Sequence, residues 1–415
     1  MFFNKTRADD AMRAHGLDVL IATSPANITY FTDYHCWIDP LFKEYMMVPG
    51  GPSRLGQAYA VYPLEGEPAL VVNPMFSVNA ADLWVRDVYT FGEAPELDNA
   101  TLPAGDVPDT VQRFIELHRK PYAGATPTDA LLRVLEDRGL TDSRVGVETE
   151  SLDADAESSL TNGLPGASIG DCTNLLRLIR MVKTRDELAG LTRSAQINEL
   201  AAMESLALAR PGGRAADLVQ HYRARVAELG AQMDHYIYGL RGVGIAAEPD
   251  YRLTDDDVLM MDFGCIYDHQ FSDSGTTLAM SEPAGPLLDG HRALRGAIDA
   301  AEQVIRPGAK SSDLHGAMRR ALNDHGITNG HPHGHSYGLE VREYPIIVAD
   351  NARRIRDDCV DVPSDIPLEA GMVLNLESCL YYLGAGSVHT EQSFVVTERG
   401  SRPLVKQDRA APFVP

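Results

Sequence analysis

The sequence predicts an α/β protein, of the α+β kind, that is divided into two domains. The 415 residues exceed what one compact core usually holds. In the first part of the chain, short apolar runs alternate with helical patterns, as expected of a small α/β domain. In the second part a set of sequence landmarks recurs, which indicates a domain made of two related halves.

The first domain is predicted over residues 1–160. Its expected elements are a buried strand at 17–22, a hairpin of 59–62 and 69–72, a helix at 127–138 and a strand at 144–148. Gly16 and Ser24-Pro25 bound the first apolar run, as turn residues typically bound a strand. The segment 63–68 contains two prolines and a glycine and provides the turn of the hairpin.

A domain boundary is predicted where the chain becomes polar. Residues 151–174 contain Gly and Ser and lack strong periodicity. We therefore predict a linker at 161–185 and a second domain at 186–415.

The second domain is expected to follow a long helix. Thr184 and Glu187 have the spacing of a capping box, in which each side chain bonds a free amide at the start of a helix. No proline interrupts the run from Glu187 to Ala209, and the Arg210-Pro211-Gly212 sequence then ends it.

An internal repeat organises the second domain. Three landmarks recur in the same order: an Arg-Pro-Gly segment followed by Asp-Leu, a Tyr-Gly-Leu step, and an apolar run that ends in an acid. They lie at 210–218 and 306–314, at 238–240 and 337–339, and at 258–262 and 373–377. We therefore predict two halves related by a pseudo-twofold axis, each with a helix followed by antiparallel strands. A site on that axis would receive two carboxylates from each half.

Charge and composition exclude several classes of function. Lys and Arg number 37 against 59 Asp and Glu, so the formal net charge is -22. Such a field repels phosphate backbones and anionic lipids, and we predict neither nucleic acid nor a membrane as a partner. No apolar run approaches the roughly 20 residues of a membrane helix, and the first residues do not resemble a secretory signal. Five scattered cysteines indicate reduced thiols and a cytoplasmic protein.

Two acidic residues end apolar runs that are predicted to be core strands. Asp262 and Glu377 take these places, and a second acid follows each of them, Asp273 and Glu391 respectively. Uncompensated carboxylates at buried strand ends are costly, so the four are predicted to bind a metal cation. The alternative is four surface acids at hairpin ends, which an acidic protein also produces.

Three histidines alternate with Pro and Gly in a short segment: His331, His333 and His335. In an extended chain, residues at i, i+2 and i+4 share a face, so all three imidazoles are candidates for one cavity. The alternative is a solvated loop that binds nothing. The spacing does not choose among the three.

Several segments resemble the pita-bread superfamily of metallohydrolases, in its branch of prolidases, aminopeptidase P and creatinase. They are Asp262-Phe263-Gly264, Asp273-Ser274-Gly275-Thr276-Thr277, residues 334–345, Asn375-Leu376-Glu377 and Thr390-Glu391. Residues 17–34, with Ser24-Pro25-Ala26-Asn27 and Tyr30-Phe31-Thr32, look like the N-terminal domain of the same branch. The resemblance covers nearly the whole chain, and it implies a creatinase-like α/β domain followed by a catalytic pita-bread domain.

The resemblance implies a centre of two divalent metal ions. Asp262 would bind one ion, Asp273 and Glu391 would bridge both, and His335 with Glu377 would complete the other. A set of four carboxylates and one imidazole suits Mn²⁺ best, with Fe, Co or Zn as alternatives. Two such ions acidify a bridging water to hydroxide and polarise a carbonyl. Glu377 is the expected catalytic proton shuttle.

The residues around this centre depart from the pattern of the related peptidases. Arg342 stands where they carry a histidine, and residues 244–251 lack a second one that they place upstream of the first aspartate. His331 and His333 are therefore candidate catalytic residues, and His235 is a candidate for substrate binding, because each can supply an imidazole from another position.

Arg342 is assigned to substrate binding, because its forked and permanent cation suits a carboxylate. The alternative is a structural ion pair with Glu340 or Glu343. Tyr337 and Trp37 complete the candidate substrate-binding residues.

Relatives of this branch often close the N-terminal domain over the site of a neighbouring subunit. We therefore expect a homodimer in which Trp37 lines the partner's pocket, with ordinary interdomain packing as the alternative. The predicted function is hydrolysis of the C–N bond of an Xaa-Pro dipeptide or small amide by a metal-bridged hydroxide. Two alternatives share the fold: a small-metabolite enzyme, similar to ectoine hydrolase, creatinase or a dimethylsulfoniopropionate lyase, and a non-catalytic scaffold.

Overall fold

The computed structural model describes residues 2–36, 49–50, 57–92, 107–246, 251–407 and 410–415. The chain divides into two compact units. One comprises Met1–Arg180 with Ile355–Val362, and the other comprises Met181–Arg354 with Pro363–Pro415. Among the described residues, no helix combines the length and the apolar character that crossing a membrane requires.

The first unit contains helices on a single mixed sheet. Its helices are α1 (Lys5–His15), α2 (Pro25–Thr32), a 3₁₀ helix (Pro74–Ala80), α3 (Asp109–Arg119), α4 (Pro127–Asp137), α5 (Ala154–Gly163) and α6 (Thr173–Arg180). Its strands are β1 (Val19–Ala22), β2 (Tyr59–Pro63), β3 (Ala69–Val72), β4 (Asp87–Thr90), β5 (Arg144–Val147) and β6 (Ser168–Asp171).

The sheet of the first unit has the order β4-β3-β2-β1-β5-β6. Strands β2 and β3 form the predicted antiparallel hairpin, and β1 pairs with β2 on one side and in parallel with β5 on the other. All four residues of β1 are buried, because helices cover both faces of this central strand. The predicted strand at 17–22, the helix at 127–138 and the strand at 144–148 are therefore confirmed.

The polar stretch 151–174 is more ordered than its sequence suggests. It holds α5 and β6, which the absence of periodicity had left unassigned. Helix α5 buries only Ala156 and Leu160, so its apolar face is too narrow to produce a clear pattern. Asp153 caps this helix by accepting a hydrogen bond from the amide of Ala156.

The second unit contains four helices and two larger sheets in its described part. The helices are α7 (Arg185–Leu206), α8 (Ala215–Glu228), α9 (Gly285–Glu302) and α10 (Ser311–Asp324). The strands are β7 (Gln232–Leu240), β8 (Val243–Ala246), β9 (Val258–Tyr267), β10 (Gln270–Ala279), β11 (His333–Ser336), β12 (Glu343–Ile347), β15 (Val373–Tyr382), β16 (Gly386–Val396) and β17 (Ser401–Pro403). Strands β13 (Arg354–Arg356) and β14 (Asp361–Pro363) form a separate two-stranded ribbon, most of which belongs to the first unit.

The two larger sheets show the internal repeat directly. One has the order β10-β9-β7-β8, and the other contains β16-β15-β11-β12, the same order of corresponding strands, with β17 added at its edge. Two helices precede the strands in each half, α7 and α8 in the first and α9 and α10 in the second. The prediction of a mixed α/β chain whose second domain consists of two related halves is therefore confirmed.

Helices cover the outer faces of these sheets and leave the inner faces to meet each other. Helix α7 begins with the predicted capping box, in which the side chains of Thr184 and Glu187 each accept a hydrogen bond from the other's amide. It packs on β9 and β10, and α8 packs beside it on β7, around buried Leu218, Tyr222 and Phe263. Strands β9 and β10 contact β16 of the other sheet. Side chains on these three strands therefore share one interior space.

Candidate metal centre

Four carboxylates face that interior space from four different strands. Asp262 lies on β9, Asp273 on β10, Glu377 on β15 and Glu391 on β16. Glu377 is directly opposite Glu391 in the antiparallel pair. Like charges in directly opposed positions destabilise a sheet, and the low exposure of both side chains strengthens the repulsion. The arrangement therefore needs a counter-cation or bound protons.

Glu391 shows this need most clearly. The residue is only 1% exposed, and its Oε2 has no hydrogen-bond partner among the described residues. Its Oε1 accepts a hydrogen bond from the amide of Asn375. Burial, followed by the charges of Asp273, Asp262 and Glu377, raises the pKa of Glu391 well above its ordinary value. A buried carboxylate oxygen without a donor is what a divalent cation would satisfy, so the residues present fit a metal ion.

His335 lies between the two halves of the carboxylate cluster. Its Nε2 is 3.3 Å from Oδ2 of Asp273 and 3.6 Å from Oε1 of Glu377, and the residue is 1% exposed. Its Nδ1 is 2.9 Å from the carbonyl oxygen of Ser336. A carbonyl can only accept, so Nδ1 carries the proton and Nε2 faces the cluster. The structure thus brings together all five residues that the sequence suggested as metal ligands.

His235 also faces the cluster, from strand β7. Its Nε2 is 3.0 Å from Oδ1 of Asp262 and 3.4 Å from Oδ1 of Asp273, while its Nδ1 contacts Asp234 at 2.8 Å. Burial lowers the pKa of His235, but the hydrogen bonds to these three carboxylates outweigh burial and raise it. The sequence placed His235 in substrate binding, whereas its contacts are with the carboxylates themselves.

His333 and Arg342 converge on one oxygen of Glu377. Nε2 of His333 lies 2.9 Å and Nη2 of Arg342 lies 3.2 Å from its Oε1. Burial raises the pKa of Glu377, but the hydrogen bond from His333 and the nearby charges of His333 and His389 outweigh burial and lower it. The carboxylate is therefore held ionised. The Arg342 side chain is 54% exposed, so it lies at the side of the cluster that is open to solvent.

The alternative for Arg342 is an ion pair with Glu340 or Glu343, and one of these two acids has a buried partner of its own. Glu343 is instead buried against the ammonium group of Lys183, with which it pairs.

His331 is not part of the cluster. The residue is exposed, and its carbonyl oxygen accepts a hydrogen bond from Nδ1 of His333. In the described part of the chain its side chain contacts none of the four carboxylates. The backbone of His331 therefore orients His333. The hydrogen bond from Nδ1 to this carbonyl fixes the ring so that Nε2 is directed at Glu377.

Tyr337 is fully buried and lies in a core cluster with Leu191 and Val373. Its hydroxyl donates to Oγ of Ser393 at 2.9 Å, and that hydroxyl donates to Oδ1 of Asn375, also at 2.9 Å. Because Asn375 in turn donates to Glu391, Tyr337 ends a hydrogen-bond chain that orients a carboxylate. A position in substrate contact does not match this burial. Trp37, the other predicted substrate-binding residue, lies outside the described residues.

His389 is a residue at the centre that sequence reasoning missed. It lies on β16, is 2% exposed, and places Nε2 at 3.8 Å from Oε2 of Glu377 and from Oε2 of Glu391. The sequence contains a signal for this position. His389 precedes Glu391 by two residues, and alternate residues of a strand share a face. The triplet His389-Thr390-Glu391 therefore marks two side chains directed at the same place.

A mixed-sheet N-terminal domain, followed by a duplicated domain whose strands bring carboxylates and imidazoles together, defines a metallohydrolase of pita-bread architecture. Residues 189–398 match metallopeptidase family M24, and residues 5–182 match the creatinase/prolidase N-terminal domain. The chain belongs to metallopeptidase family M24. The resemblance stated from the sequence motifs is thereby confirmed.

Individual relatives are distant. An uncharacterized peptidase of Staphylococcus aureus (strain USA300) is 24% identical over 276 residues, which are 65% of this chain and 75% of that protein. The solved structure of dipeptidase PepE from Mycobacterium ulcerans has a TM-score of 0.74 at 22% identity and covers 99% of this chain and 97% of its own. Prolidase from Pyrococcus furiosus has a TM-score of 0.69 at 18% identity, with 97% and 100% covered. At these identities the structures share the fold with this chain.

Proposed function

We propose that this metallopeptidase is a dinuclear-metal hydrolase that cleaves the amide bond of a dipeptide, or of a similarly small amide, bearing a free carboxylate. Xaa-Pro dipeptides are the first substrates to test. The observation that carries the proposal is the orphaned Oε2 of Glu391 inside a cluster of four carboxylates. Neither a core nor a surface ion pair explains four acids that face one another, three of them buried and Asp262 partly buried.

Asp262, Asp273, His335, Glu377 and Glu391 would hold the metal ions. Divalent ions bound there supply Lewis acidity and a more acidic water. The oxygen-rich donor set suits Mn²⁺, and Fe, Co and Zn are the alternatives.

Glu377 is the proposed proton acceptor. Contacts with His333 and Arg342 hold its Oε1, so the carboxylate has one fixed orientation. Its Oε2 is turned away from this pair and toward His389. In the proposed mechanism Glu377 takes a proton from the attacking water and returns it to the leaving nitrogen. His333, in contact at 2.9 Å, keeps the carboxylate ionised before that transfer.

Arg342 is the proposed anchor for the substrate carboxylate. Its guanidinium contacts Glu377 at one nitrogen, and its exposure leaves other N–H groups open to a ligand. An anchor this close to the cluster limits the length of chain between the scissile amide and the carboxylate. The proposal therefore favours dipeptides over longer peptides.

Replacing Arg342 by Ala should raise the KM for a dipeptide about 10-fold or more, since hydrogen bonds to charged groups contribute about 1.5–3 kcal/mol. The KM for the same dipeptide with an amidated C-terminus should change little. Steady-state kinetics on both substrates measures the difference, and Arg353→Ala, an exposed arginine on another segment, is the control. Equal KM changes for the acid and the amide would contradict the assignment.

The contacts of Arg342 also favour a second candidate function, hydrolysis of a small-acid amide that has no free amino terminus. A panel of Xaa-Pro dipeptides, other dipeptides and N-acetyl amino acids separates the two. We expect the highest kcat/KM on Xaa-Pro dipeptides. Turnover confined to N-acetyl amino acids would support the second candidate, and turnover of none of these classes would contradict both. The homodimer and the cytoplasmic location stay predictions of the sequence.

A further inference from the structure

His389 is built into the centre in a way that fixes which nitrogen it presents. Its Nδ1 lies 3.1 Å from the carbonyl oxygen of Met261. Because that oxygen can only accept, Nδ1 carries the proton, and in the neutral ring Nε2 directs its lone pair at the cluster. His335 is arranged in the same way, with Nδ1 on the carbonyl of Ser336. His389 thus has the orientation of a metal-binding imidazole.

The distances around Nε2 of His389 suit a shared ion better than hydrogen bonds. It lies 3.8 Å from Oε2 of Glu377 and 3.8 Å from Oε2 of Glu391, beyond hydrogen-bonding distance of both. Two donor atoms at about 2.0–2.2 Å from one ion can be separated by up to about 4.4 Å. The three donor groups lie within 4.8 Å of one another. One of the two oxygens, Oε2 of Glu391, is the buried atom that has no hydrogen bond.

The backbone opposite His389 is shaped to accommodate its ring. A Cβ at Gly275 would lie 2.3 Å from Cε1 and Nδ1 of His389 and 2.7 Å from Oε2 of Glu391. Real Cβ atoms do not approach so closely, so this position requires glycine while the ring keeps its place. Gly264 makes the same provision for His235, whose Cε1 would lie 2.4 Å from its Cβ. Each aspartate of the centre is therefore followed, two residues later, by a glycine that makes room for an imidazole.

We propose that Nε2 of His389 is a further metal ligand, which shares one ion with Glu377 and Glu391. This inference rests on the proposed function in requiring a metal centre, and it adds a second buried imidazole to the donor set. Imidazole nitrogens favour Co²⁺ and Zn²⁺ over Mn²⁺ relative to carboxylate oxygens. The affinity of the centre for Co²⁺ and Zn²⁺ relative to Mn²⁺ should therefore be higher than that of a centre with four carboxylates and one imidazole.

The test is binding of Co²⁺ to the full chain, followed by elemental analysis and by the visible absorption of the bound ion. His389→Asn keeps a donor for the carbonyl of Met261 and removes the atom that stands at Nε2. We expect it to weaken binding of one Co²⁺ by more than 100-fold and to change the Co²⁺ absorption. Loss of an outer partner costs roughly 10–100-fold, so a loss within that range, with an unchanged spectrum, would overturn the inference.

Two further variants separate a loss of the metal ligand from a general loss of structure. His291→Asn is the control, because His291 is equally buried and contacts Thr277 at 3.2 Å; it should bind both ions. His389→Ala removes the ring and leaves Gly275 and Glu391 unchanged, and it should lose the same ion if His389→Asn fails to fold. If the unaltered chain binds no Co²⁺, the proposed function fails and this inference fails with it. If the unaltered chain and His389→Asn bind two ions equally, only the inference fails.

Discussion

Asp273→Asn should abolish hydrolysis, lowering kcat/KM by at least about 10³-fold, or about 4 kcal/mol of transition-state stabilisation. The two oxygens of Asp273 face different sides of the cluster. Oδ1 lies 3.4 Å from Nε2 of His235, and Oδ2 lies 3.3 Å from Nε2 of His335. Asn has nearly the same shape but lacks the charge and one of the two acceptor oxygens. The residue that links both sides is thereby disabled without a change in packing.

The measurement is steady-state kinetics at saturating metal, with the metal content of the same sample. Asp256→Asn is a matched control, since Asp256 is exposed and pairs with Arg241 on the surface. It should retain activity and metal. Asp273→Asn should contain less than one ion per chain. Undiminished activity of a metal-free Asp273→Asn protein would refute the mechanism.

Addition of Mn²⁺, Co²⁺ or Zn²⁺ to metal-free protein should raise the thermal unfolding midpoint by about 5–15 °C. A ligand at 100 to 1,000 times its Kd stabilises by about 2.7–4.1 kcal/mol, and a domain of roughly 150–250 residues shifts by about 2–4 °C per kcal/mol. The physical source is the opposed pair Glu377 and Glu391, whose repulsion a cation removes.

The shift should be larger at pH 8 than at pH 6. Burial lowers the pKa of His333 and His389, but Glu377 outweighs burial and raises both. In metal-free protein these imidazoles therefore bind protons that a metal must displace, and displacement is easier as pH rises. Glu391→Gln is the control, because it removes the repulsion by substitution and should no longer respond to metal. An unchanged midpoint with all three metals would contradict the account.

The duplication within the second domain could be predicted from the repeat alone. The acids that end the two apolar runs predicted corresponding strands, and the structure has them as β9 and β15 in two sheets of the same strand order. The capping box at Thr184 and Glu187 predicted the start of α7 to within two residues. Local patterns succeed here because a cap or a turn depends on few residues. Helix α5 was missed because so few of its side chains are buried.

The residues of the site could be predicted only in part from the sequence, for a different reason. The apolar runs predict that Asp262 and Glu377 lie on core strands, although β9 and β15 continue past them. Strand alternation puts His389 on the same face as Glu391, but the contact of β16 with β9 decides what that face meets. Tyr337 was predicted to bind substrate. Its backbone position turns it into the core instead, where it contacts Ser393. The packing of the two halves decides which side chains meet across the interface between the sheets. The spacing of residues within one half does not predict these contacts.

The most direct test of a dinuclear centre is the metal-to-chain ratio of the purified protein, measured by elemental analysis before and after reconstitution with Mn²⁺, Co²⁺ or Zn²⁺. The account predicts two ions per chain, with hydrolysis of Xaa-Pro dipeptides that rises as the second ion is added. One ion per chain at full activity would contradict the dinuclear centre. No bound metal in any reconstituted sample would mean that the four carboxylates are held by protons and that the proposed hydrolase function is wrong.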